Sequence, residues 1–415
     1  MSSIPTTGLP AGILRRVQFS VLALLSLAAG TSAAVAASPV CVAPEVRLGW
    51  PAAEPIWELC WLGPNQSVGP RGSGMELRNV HWKGRFVLRR AHAPMLFAEY
   101  RGGAGGNCYR DWKDTRATIL AATGVQNRLG QIPAGGEAAK TSCDRSTHPT
   151  QAHDMCPFGL PVPPGYSCAL GVMIEDMGDH VLLTTQYIAD WYMYTSRIAL
   201  HADGRIVPTF GFGNRNGTFS EVTHWHHNYW RFEFDIDGLG NNTVSSNGID
   251  RAVEFSDLRE ATGGIGGGPK TWEVRNAASG NGFRLVPGAN DYLVPANQSG
   301  RGFHLTDFMA TRVNINEYGD TPSDDLLDCT MHVAHLVNGQ AIANTNQALY
   351  YRVAVRDTTA HDWPPDCQGA ACQAQDSMIC KSAGPQWVPF GPWTSADSVF
   401  ADGFDGLAPG APVHG

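Results

Sequence analysis

The chain has 415 residues, 43% of them hydrophobic and 16% charged, and it contains 47 Gly, 27 Pro and 12 Trp. This composition excludes a coiled coil, a collagen helix and wholesale disorder. The formal net charge of −8 argues against nucleic-acid binding and against a polybasic membrane surface, so small molecules are the expected partners. Many Trp and Gly with few charges favour strands joined by turns, which predicts a mainly β fold.

The first 36 residues have the features of an export signal. Arg15 and Arg16 precede an apolar run over residues 17–29, and residues 34–36 (AVA) form a small-residue cleavage site. No later apolar run approaches the length of a membrane span. We therefore expect a periplasmic or extracellular protein without a membrane span. All ten Cys follow the signal, and an even number in an exported chain predicts disulfide bonds.

Three regions are expected after the signal. Residues 37–73 are rich in Pro, Gly and Trp and are predicted to be an irregular segment pinned by Cys41 and Cys60. Residues 74–366 carry the strand patterns and form the predicted β domain. Residues 367–415 form a tail rich in Cys, Gly and Pro.

The first half of the β domain contains two hairpin signals. Residues 75–90 alternate around the turn Lys83-Gly84 and lead into the apolar residues 95–100. Residues 181–200 are predicted to form one long strand, which turns at Asp203-Gly204 into residues 205–212. Asp-Gly between apolar runs is a strong hairpin signal. Further strands are predicted at 224–237, 271–275, 282–286, 303–314, 329–337 and 348–356.

The strand at residues 224–237 contains the most specific local pattern. Alternate residues of a strand share a face, so one face is expected to point into the core. That face consists of His224, His226, Asn228, Trp230, Phe232, Phe234 and Ile236. Two inward His two residues apart can bind a copper or zinc ion with both imidazoles. Hydrogen-bonded core histidines are the alternative. His227 belongs to the opposite face and is expected at the surface.

His-x-His followed by an alternating Arg-x-x-x-Asp-x-Asp-Gly strand resembles the copper amine oxidases. The resemblance extends over about residues 74–364 in the same order. Residues 74–80 (GMELRNV) resemble the opening strands of that family's catalytic domain. Residues 344–351 resemble its closing strand, and residues 362–364 (DWP) resemble the motif that follows it. The resemblance implies a large antiparallel β-sandwich and a homodimer.

The resemblance also implies a topaquinone cofactor, which the family makes from a Tyr by copper-dependent oxidation. An ungapped register from Asp203 places that position at Tyr192, where Trp191 and Met193 replace the usual flanking Asn and acid. A rival register places Thr185 there and removes the precursor. The family's catalytic base corresponds most nearly to Asp111, for which a surface aspartate is the alternative interpretation.

The third copper ligand of the family is a His, and this chain has no His at that position. Asp357 is nearest and offers an oxygen ligand, although Arg356 beside it opposes cation binding. His361 follows four residues later. His332 and His335 are further substitutes, for which ordinary strand and turn histidines are the alternative interpretation.

Two kinds of function compete on these grounds. The resemblance implies oxidative deamination of a primary amine to an aldehyde, with O₂ consumed and H₂O₂ and ammonia released. The departures at the cofactor flanks, the third ligand and the base favour instead a secreted, non-catalytic binding or surface protein with a degenerate site. A third hypothesis is a two-His-one-carboxylate metal site of His224, His226 and Asp357 with other oxidative chemistry.

Overall fold

A computed structural model describes the chain over fourteen ranges. These ranges are 38–63, 66–67, 74–100, 108–110, 118–122, 166–170, 172–189, 192–214, 224–238, 241–259, 270–288, 306–314, 336–357 and 379–393. The backbone alone is described at 99–100, 108–110, 118–122, 166–170, 173, 186–189, 192–193, 212–214, 224–225, 356–357 and 379–382. In these ranges no helix is both long and apolar enough to cross a membrane.

The described strands form two large antiparallel sheets and one small one. Sheet 1 contains β1 (Val46–Trp50), β2 (Trp57–Leu62), β3 (Glu76–Trp82), β4 (Arg85–Tyr100), β5 (Cys108–Arg110), β12 (His224–Phe234), β15 (Phe255–Asp257), β18 (Phe308–Arg312) and β19 (Gln347–Asp357). Sheet 2 contains β8 (Met173–Asp176), β9 (His180–Ala189), β10 (Tyr192–His201), β11 (Ile206–Asn214), β13 (Asn242–Ser246), β14 (Ile249–Arg251), β16 (Trp272–Asn276), β17 (Gly282–Val286), β20 (Ile379–Ala383) and β21 (Gln386–Phe390). The pair β6 (Thr118–Ala122) and β7 (Tyr166–Leu170) forms the small sheet.

Strand order explains how each sheet is assembled. Sheet 1 runs β1-β2-β3-β4-β12-β19-β18-β15, with β5 on β4, so that β12 lies at its centre between β4 and β19. Sheet 2 runs β14-β13-β16-β17-β21-β11-β10-β9-β8, with β20 on β11. The two sheets pack face to face, which confirms the prediction of a large antiparallel β-sandwich.

The core between the sheets is formed largely by aromatic side chains. On β12, Phe232 and Phe234 pack against Trp387 of β21, with ring centroids 5.5 and 4.7 Å apart. Trp230 is fully buried on the same face of β12. Burying an aromatic ring of this size contributes about 1.5–3 kcal/mol by transfer alone. The predicted inner face is confirmed at His226, Trp230, Phe232, Phe234 and Ile236.

The predicted long strand over residues 181–200 is wrong. Two strands, β9 and β10, pair antiparallel with each other, and Tyr192 lies opposite Ala189. The sequence between them, Asp190-Trp191, contains neither Gly nor Pro, so a single Asp is its only residue of a kind that favours turns. The predicted turn at Asp203-Gly204 is confirmed, because β10 and β11 pair across it.

Two regions expected outside the core contribute strands to it. The segment 37–73 supplies β1 and β2, which extend sheet 1 beside β3. Trp50 and Trp57 of these strands are fully buried. The region after residue 366 supplies β20 and β21, and Trp387 of β21 is also fully buried. The expectation of an irregular segment is therefore wrong at β1 and β2, and the region predicted as a tail after the β domain belongs to sheet 2 at β20 and β21.

A disulfide bond links Cys41 to Cys60, with Cα atoms 5.5 Å apart. It confirms that these two residues pin the segment before β1 to β2. The other eight Cys lie at positions whose side chains are outside the described part of the chain. Their pairing remains a prediction.

The outer face of sheet 1 is also buried. A second apolar cluster covers it, formed by Met95, Phe97, Tyr229, Met309, Leu336, Ala348 and Tyr350. Buried charged groups lie beside this cluster: Arg231 donates to Tyr350 Oη at 3.0 Å and also contacts Glu233. The described outer-face side chains of β12 from His227 to Glu233 are therefore buried rather than solvated.

Gly204 at the β10–β11 turn has no room for a side chain. Its φ is +93°, and a Cβ there would overlap the indole of Trp82. We expect Gly204→Ala to cost about 2–4 kcal/mol, combining backbone strain with overpacking. Gly178→Ala is a matched control, because Gly178 has φ +90° but nothing within 4 Å of its Cβ position. Urea unfolding gives the free energy of unfolding of both variants. Equal losses of stability in Gly204→Ala and Gly178→Ala would contradict the clash with Trp82.

Two carboxyl groups at the end of β12 have opposite pKa shifts. Burial raises the pKa of Asp235, and the hydrogen bond that it accepts from Arg89 does not reverse the shift. Burial acts in the same direction on Asp237. Hydrogen bonds from Arg85, Ser279 and Asn281 outweigh it, so the pKa of Asp237 lies below its ordinary value.

We expect Asp237→Asn and Asp235→Asn to change the pH dependence of stability in opposite directions. The lowered pKa of Asp237 contributes stability above its unfolded pKa of about 4, and this is lost as pH falls through the folded value. The Asn variant should therefore lose less stability on acidification. The raised pKa of Asp235 contributes stability below about pH 4 that is lost as pH rises through its folded value. Its Asn variant should lose more on acidification. Urea unfolding between pH 3 and 7 tests this, and equal slopes would contradict it.

Candidate functional site

His226 lies near the start of β12 and is fully buried between the two sheets. Its Nδ1 is 2.9 Å from the hydroxyl oxygen of Tyr194 on β10, and the two ring centroids are 5.5 Å apart. Tyr194 is also fully buried and stacks on Phe210 of β11 at 5.6 Å. The contact therefore joins sheet 1 to sheet 2 inside the sandwich, where water is excluded.

The other end of β10 fixes its direction relative to β12. His201 ends β10, and its carbonyl accepts a 2.7 Å hydrogen bond from the indole of Trp57 on β2. Trp57 lies at the end of sheet 1 where β12 finishes. In the strand register, Trp57 pairs with Trp82 and Trp82 pairs with Arg85. Arg85 in turn binds Asp237, just beyond the end of β12, at 2.7 Å.

From Tyr194 to His201, β10 thus runs in the same direction as β12 does from His226 to Asp237. The backbone of Tyr192 therefore lies beyond Tyr194, toward the end of β12 where His224 begins the strand. Tyr192 and Tyr194 belong to one face of β10 by strand alternation. This end of the sandwich brings the backbones of Tyr192 and His224 to the same side of the His226–Tyr194 contact.

Asp357 is also placed at this end of the sandwich. It is the last residue of β19 and lies directly opposite His224 in the β12–β19 register. The preceding inner-face pair is His226 opposite Val355, which belongs to the core between the sheets. Position 356 pairs with position 225 and so belongs to the other face of sheet 1. By backbone register, Arg356 and Asp357 therefore fall on opposite faces.

Several predicted site residues are brought together and others are not described. Tyr192, His224 and Asp357 are placed by their backbones, and His226 by its side chain. Asp111, His361, His332 and His335 lie outside the described residues. Sequence reasoning missed Tyr194 as the residue that contacts His226. Its spacing of two from Tyr192 on one strand face was the available signal.

His227 was expected at the surface, and this expectation is wrong. The side chain is fully buried on the outer face of sheet 1, where Nδ1 lies 3.2 Å from an Arg352 guanidinium nitrogen. Arg352 also donates to Asp307 at 2.5 Å and to the Thr306 carbonyl at 2.8 Å. His227 is thus part of a buried polar group on the face away from His226, which leaves it outside the candidate metal site.

The residues at this end of the sandwich fit a copper ion in part. A metal-binding His usually bonds through its second ring nitrogen to a polar group that orients the ring. The contact between His226 Nδ1 and Tyr194 has that arrangement, and Nε2 is then the nitrogen that a metal would bind. Two imidazoles and one carboxylate are ligands that Cu(II) accepts. His224, His226 and Asp357 are the residues of the candidate metal site.

The two-sheet architecture is a large antiparallel β-sandwich that matches copper amine oxidase structures in fold. The structure is similar to a copper-containing benzylamine oxidase from Hansenula polymorpha, with a TM-score of 0.51 and 12% identity over 83% of this chain and 60% of that chain. It is also similar to an amine oxidase from Aspergillus nidulans (TM-score 0.48, 13% identity, 92% of this chain and 57% of that chain). A third similar structure is a lysyl oxidase from Pichia pastoris (TM-score 0.49, 12% identity, 90% of this chain and 56% of that chain).

At 12% identity, the similarity to the benzylamine oxidase structure concerns the fold alone. No protein-family model and no curated protein matches the sequence. The chain spans 56–60% of the length of the three oxidases. A distant structural relationship to the copper amine oxidases is therefore supported.

Proposed function

We propose that this protein is an exported, copper-dependent amine oxidase. The proposed reaction converts a primary amine to an aldehyde, consumes O₂ and releases H₂O₂ and ammonia. The single observation that carries the proposal is the buried contact of His226 with Tyr194, at the end of the sandwich where His224 and Asp357 also begin and end their strands. Export, pairing of most of the ten Cys and a homodimer are parts of the same proposal.

The roles of the chain's own residues follow from this arrangement. His224 and His226 would bind the copper, with Asp357 as the oxygen ligand that replaces a third His. Copper, with a quinone derived from Tyr192, would supply the redox chemistry with amine and O₂ that side chains lack. Tyr194 orients the imidazole of His226, and the two sheets exclude water from it. Asp111 remains the proposed base for removing the amine's α-proton.

A second candidate function is supported by the register between β12 and β19. Asp357 lies directly opposite His224, and position 356 falls on the other face of the sheet. Two His and one carboxylate form the ligand set of metal sites that carry out other oxidative chemistry. This function needs the metal ligands and does not require a quinone at Tyr192.

Reconstitution with Cu(II) in air separates these possibilities. Amine oxidase function predicts one copper per chain, a visible absorption band, a phenylhydrazine adduct and amine-dependent H₂O₂ release. The band and the adduct should be absent in Tyr192→Phe, which keeps the ring and removes the oxygen. Thr185→Val is the control for the rival register and should leave both unchanged.

Each other outcome has a defined meaning. Copper binding without the band would reject the amine oxidase and favour the two-His-one-carboxylate site. A chain that binds no copper would be a non-catalytic, secreted β-sandwich, and both enzymatic proposals would fail.

A further inference from the structure

A second group of potential ligands lies at the far end of the β9–β10 hairpin. His180 begins β9 and His201 ends β10, and the two are directly opposite in strand register. Their rings stack with centroids 4.6 Å apart. About seven residues of strand, or roughly 23 Å, separate His201 from Tyr194. This group is therefore distinct from the candidate metal site at His226.

The carboxylate of Asp179 lies beside both imidazoles. Oδ1 is 2.6 Å from Nδ1 of His180, and Oδ2 is 3.9 Å from Nδ1 of His201. One ligand atom from each of the three residues lies within 4.8 Å of the others. A metal bound at about 2.0–2.2 Å from each ligand needs ligand atoms about 3–4 Å apart. Small side-chain rotations on the present backbone would give that spacing.

Backbone hydrogen bonds hold the three residues in place. Met177 N donates to the His180 carbonyl and Ala202 N to the Asp179 carbonyl, both at 2.9 Å. The second bond ties the β8–β9 turn to the β10–β11 turn. The indole of Trp57 on sheet 1 donates a hydrogen bond to the carbonyl of His201 and so holds the end of β10 in place. Ligands carried on paired strands are positioned more precisely than ligands on free loops.

The surroundings of the three side chains suit a metal with open coordination positions. His180 and His201 are largely shielded, with 20% and 14% of their side chains exposed, whereas Asp179 is 73% exposed. Water can therefore complete the coordination from the Asp179 side. Arg205 opposes a cation, since it lies 3.5 Å from Nδ1 of His201. Its charge is offset by Asp203, which accepts a 2.8 Å hydrogen bond from Arg205 Nε.

We propose that Asp179, His180 and His201 bind a divalent transition-metal ion, for which Zn²⁺ is the probe. Two imidazoles, one carboxylate and water form a ligand set that zinc accepts. The ion would link the β8–β9 turn to the β10–β11 turn at the edge of sheet 2. This proposal does not depend on the proposed amine oxidase activity.

Zinc content after dialysis against ZnCl₂ tests the proposal. The wild-type chain should retain one equivalent more than His201→Ala, and Asp179→Asn should show the same deficit. Asp250→Asn, an exposed aspartate on the β13–β14 hairpin, should retain the wild-type amount. In a His226→Ala background, the deficit caused by His201→Ala should persist, which separates this site from the candidate metal site.

The position of the ion is tested by Arg205→Met. Removing the positive charge beside His201 should tighten zinc binding several-fold, an effect that a purely structural role of these residues would not produce. Equal zinc content in wild type and Asp179→Asn would overturn the proposal, and this variant changes only an exposed side chain. Unchanged zinc affinity in Arg205→Met would overturn it as well.

Discussion

Replacing His226 by Ala is expected to abolish copper binding and all amine-dependent H₂O₂ release. Tyr194→Phe should have a graded effect, weakening copper affinity by about 10–100-fold, the usual cost of removing a group that orients a metal-binding His. The ring of Phe would preserve the stacking on Phe210 and remove only the oxygen that contacts Nδ1. The copper dissociation constant, measured by competition with a chelator, reports both effects.

Tyr351→Phe is the matched control for this prediction. Tyr351 is a fully buried tyrosine on the inner face of sheet 1, in contact with Trp272 rather than with His226. Its variant should bind copper as the wild type does, even if it is less stable. Wild-type copper affinity in Tyr194→Phe would show that the His226 contact belongs only to the packing of the core. Copper binding by His226→Ala would remove β12 as the source of the ligands.

Asp307→Asn is expected to destabilise the fold by about 3–5 kcal/mol. The guanidinium of Arg352 is fully buried and forms an ion pair with the carboxylate of Asp307. The neutral amide would remove the negative charge beside this buried guanidinium, whose other contacts include the Thr306 carbonyl and His227 Nδ1. Removing one partner of a buried pair costs more than the pair contributes, because the remaining charge stays desolvated.

A double-mutant cycle distinguishes that charge effect from simple loss of packing. Arg352→Met combined with Asp307→Asn should cost clearly less than the sum of the single variants. The exposed pair Arg47–Glu58, in which Arg47 is 53% exposed, is the comparison and should couple by less than about 1 kcal/mol. Additive losses at Arg352 and Asp307 would contradict the charge argument.

Strand alternation predicted the inner face of β12 but not the state of its outer face. Period-two patterning identifies which residues share a face, and the Phe and Trp of β12 identified the core side. The pattern does not reveal whether the side chains on the outer face of β12 are buried or exposed to solvent. His227 was therefore predicted at the surface, although it is fully buried.

Turn chemistry determined which hairpins could be predicted. Asp203-Gly204 marks the β10–β11 turn because glycine adopts the positive φ found there. The reversal between β9 and β10 carries no such residue, so residues 181–200 were predicted as one strand. The strands β1, β2 and β21 lie in segments rich in Pro and Gly, whose composition concealed the buried Trp50 and Trp387.

The sequence predicted which residues of one strand share a face of the candidate site, but not which residues of different strands meet there. His224 and His226 follow from alternation within β12. The contact between Tyr194 and His226 joins two sheets across 32 residues of sequence, and no local pattern encodes which residues meet across a sandwich. The pairing of His224 with Asp357 depends likewise on the long-range register of β12 and β19.

The position of β21 in sheet 2 has a consequence for biosynthesis. It pairs with β17 on one side and with Ile206 of β11 on the other, so it joins two halves of the sheet that no other strand in the described order connects. These halves cannot associate through β21 until residues 386–390 have been synthesised. Pairings this distant in sequence slow folding because long loops must close first. Sheet 2 therefore stays divided between β17 and β11 until the chain has been synthesised as far as residue 390.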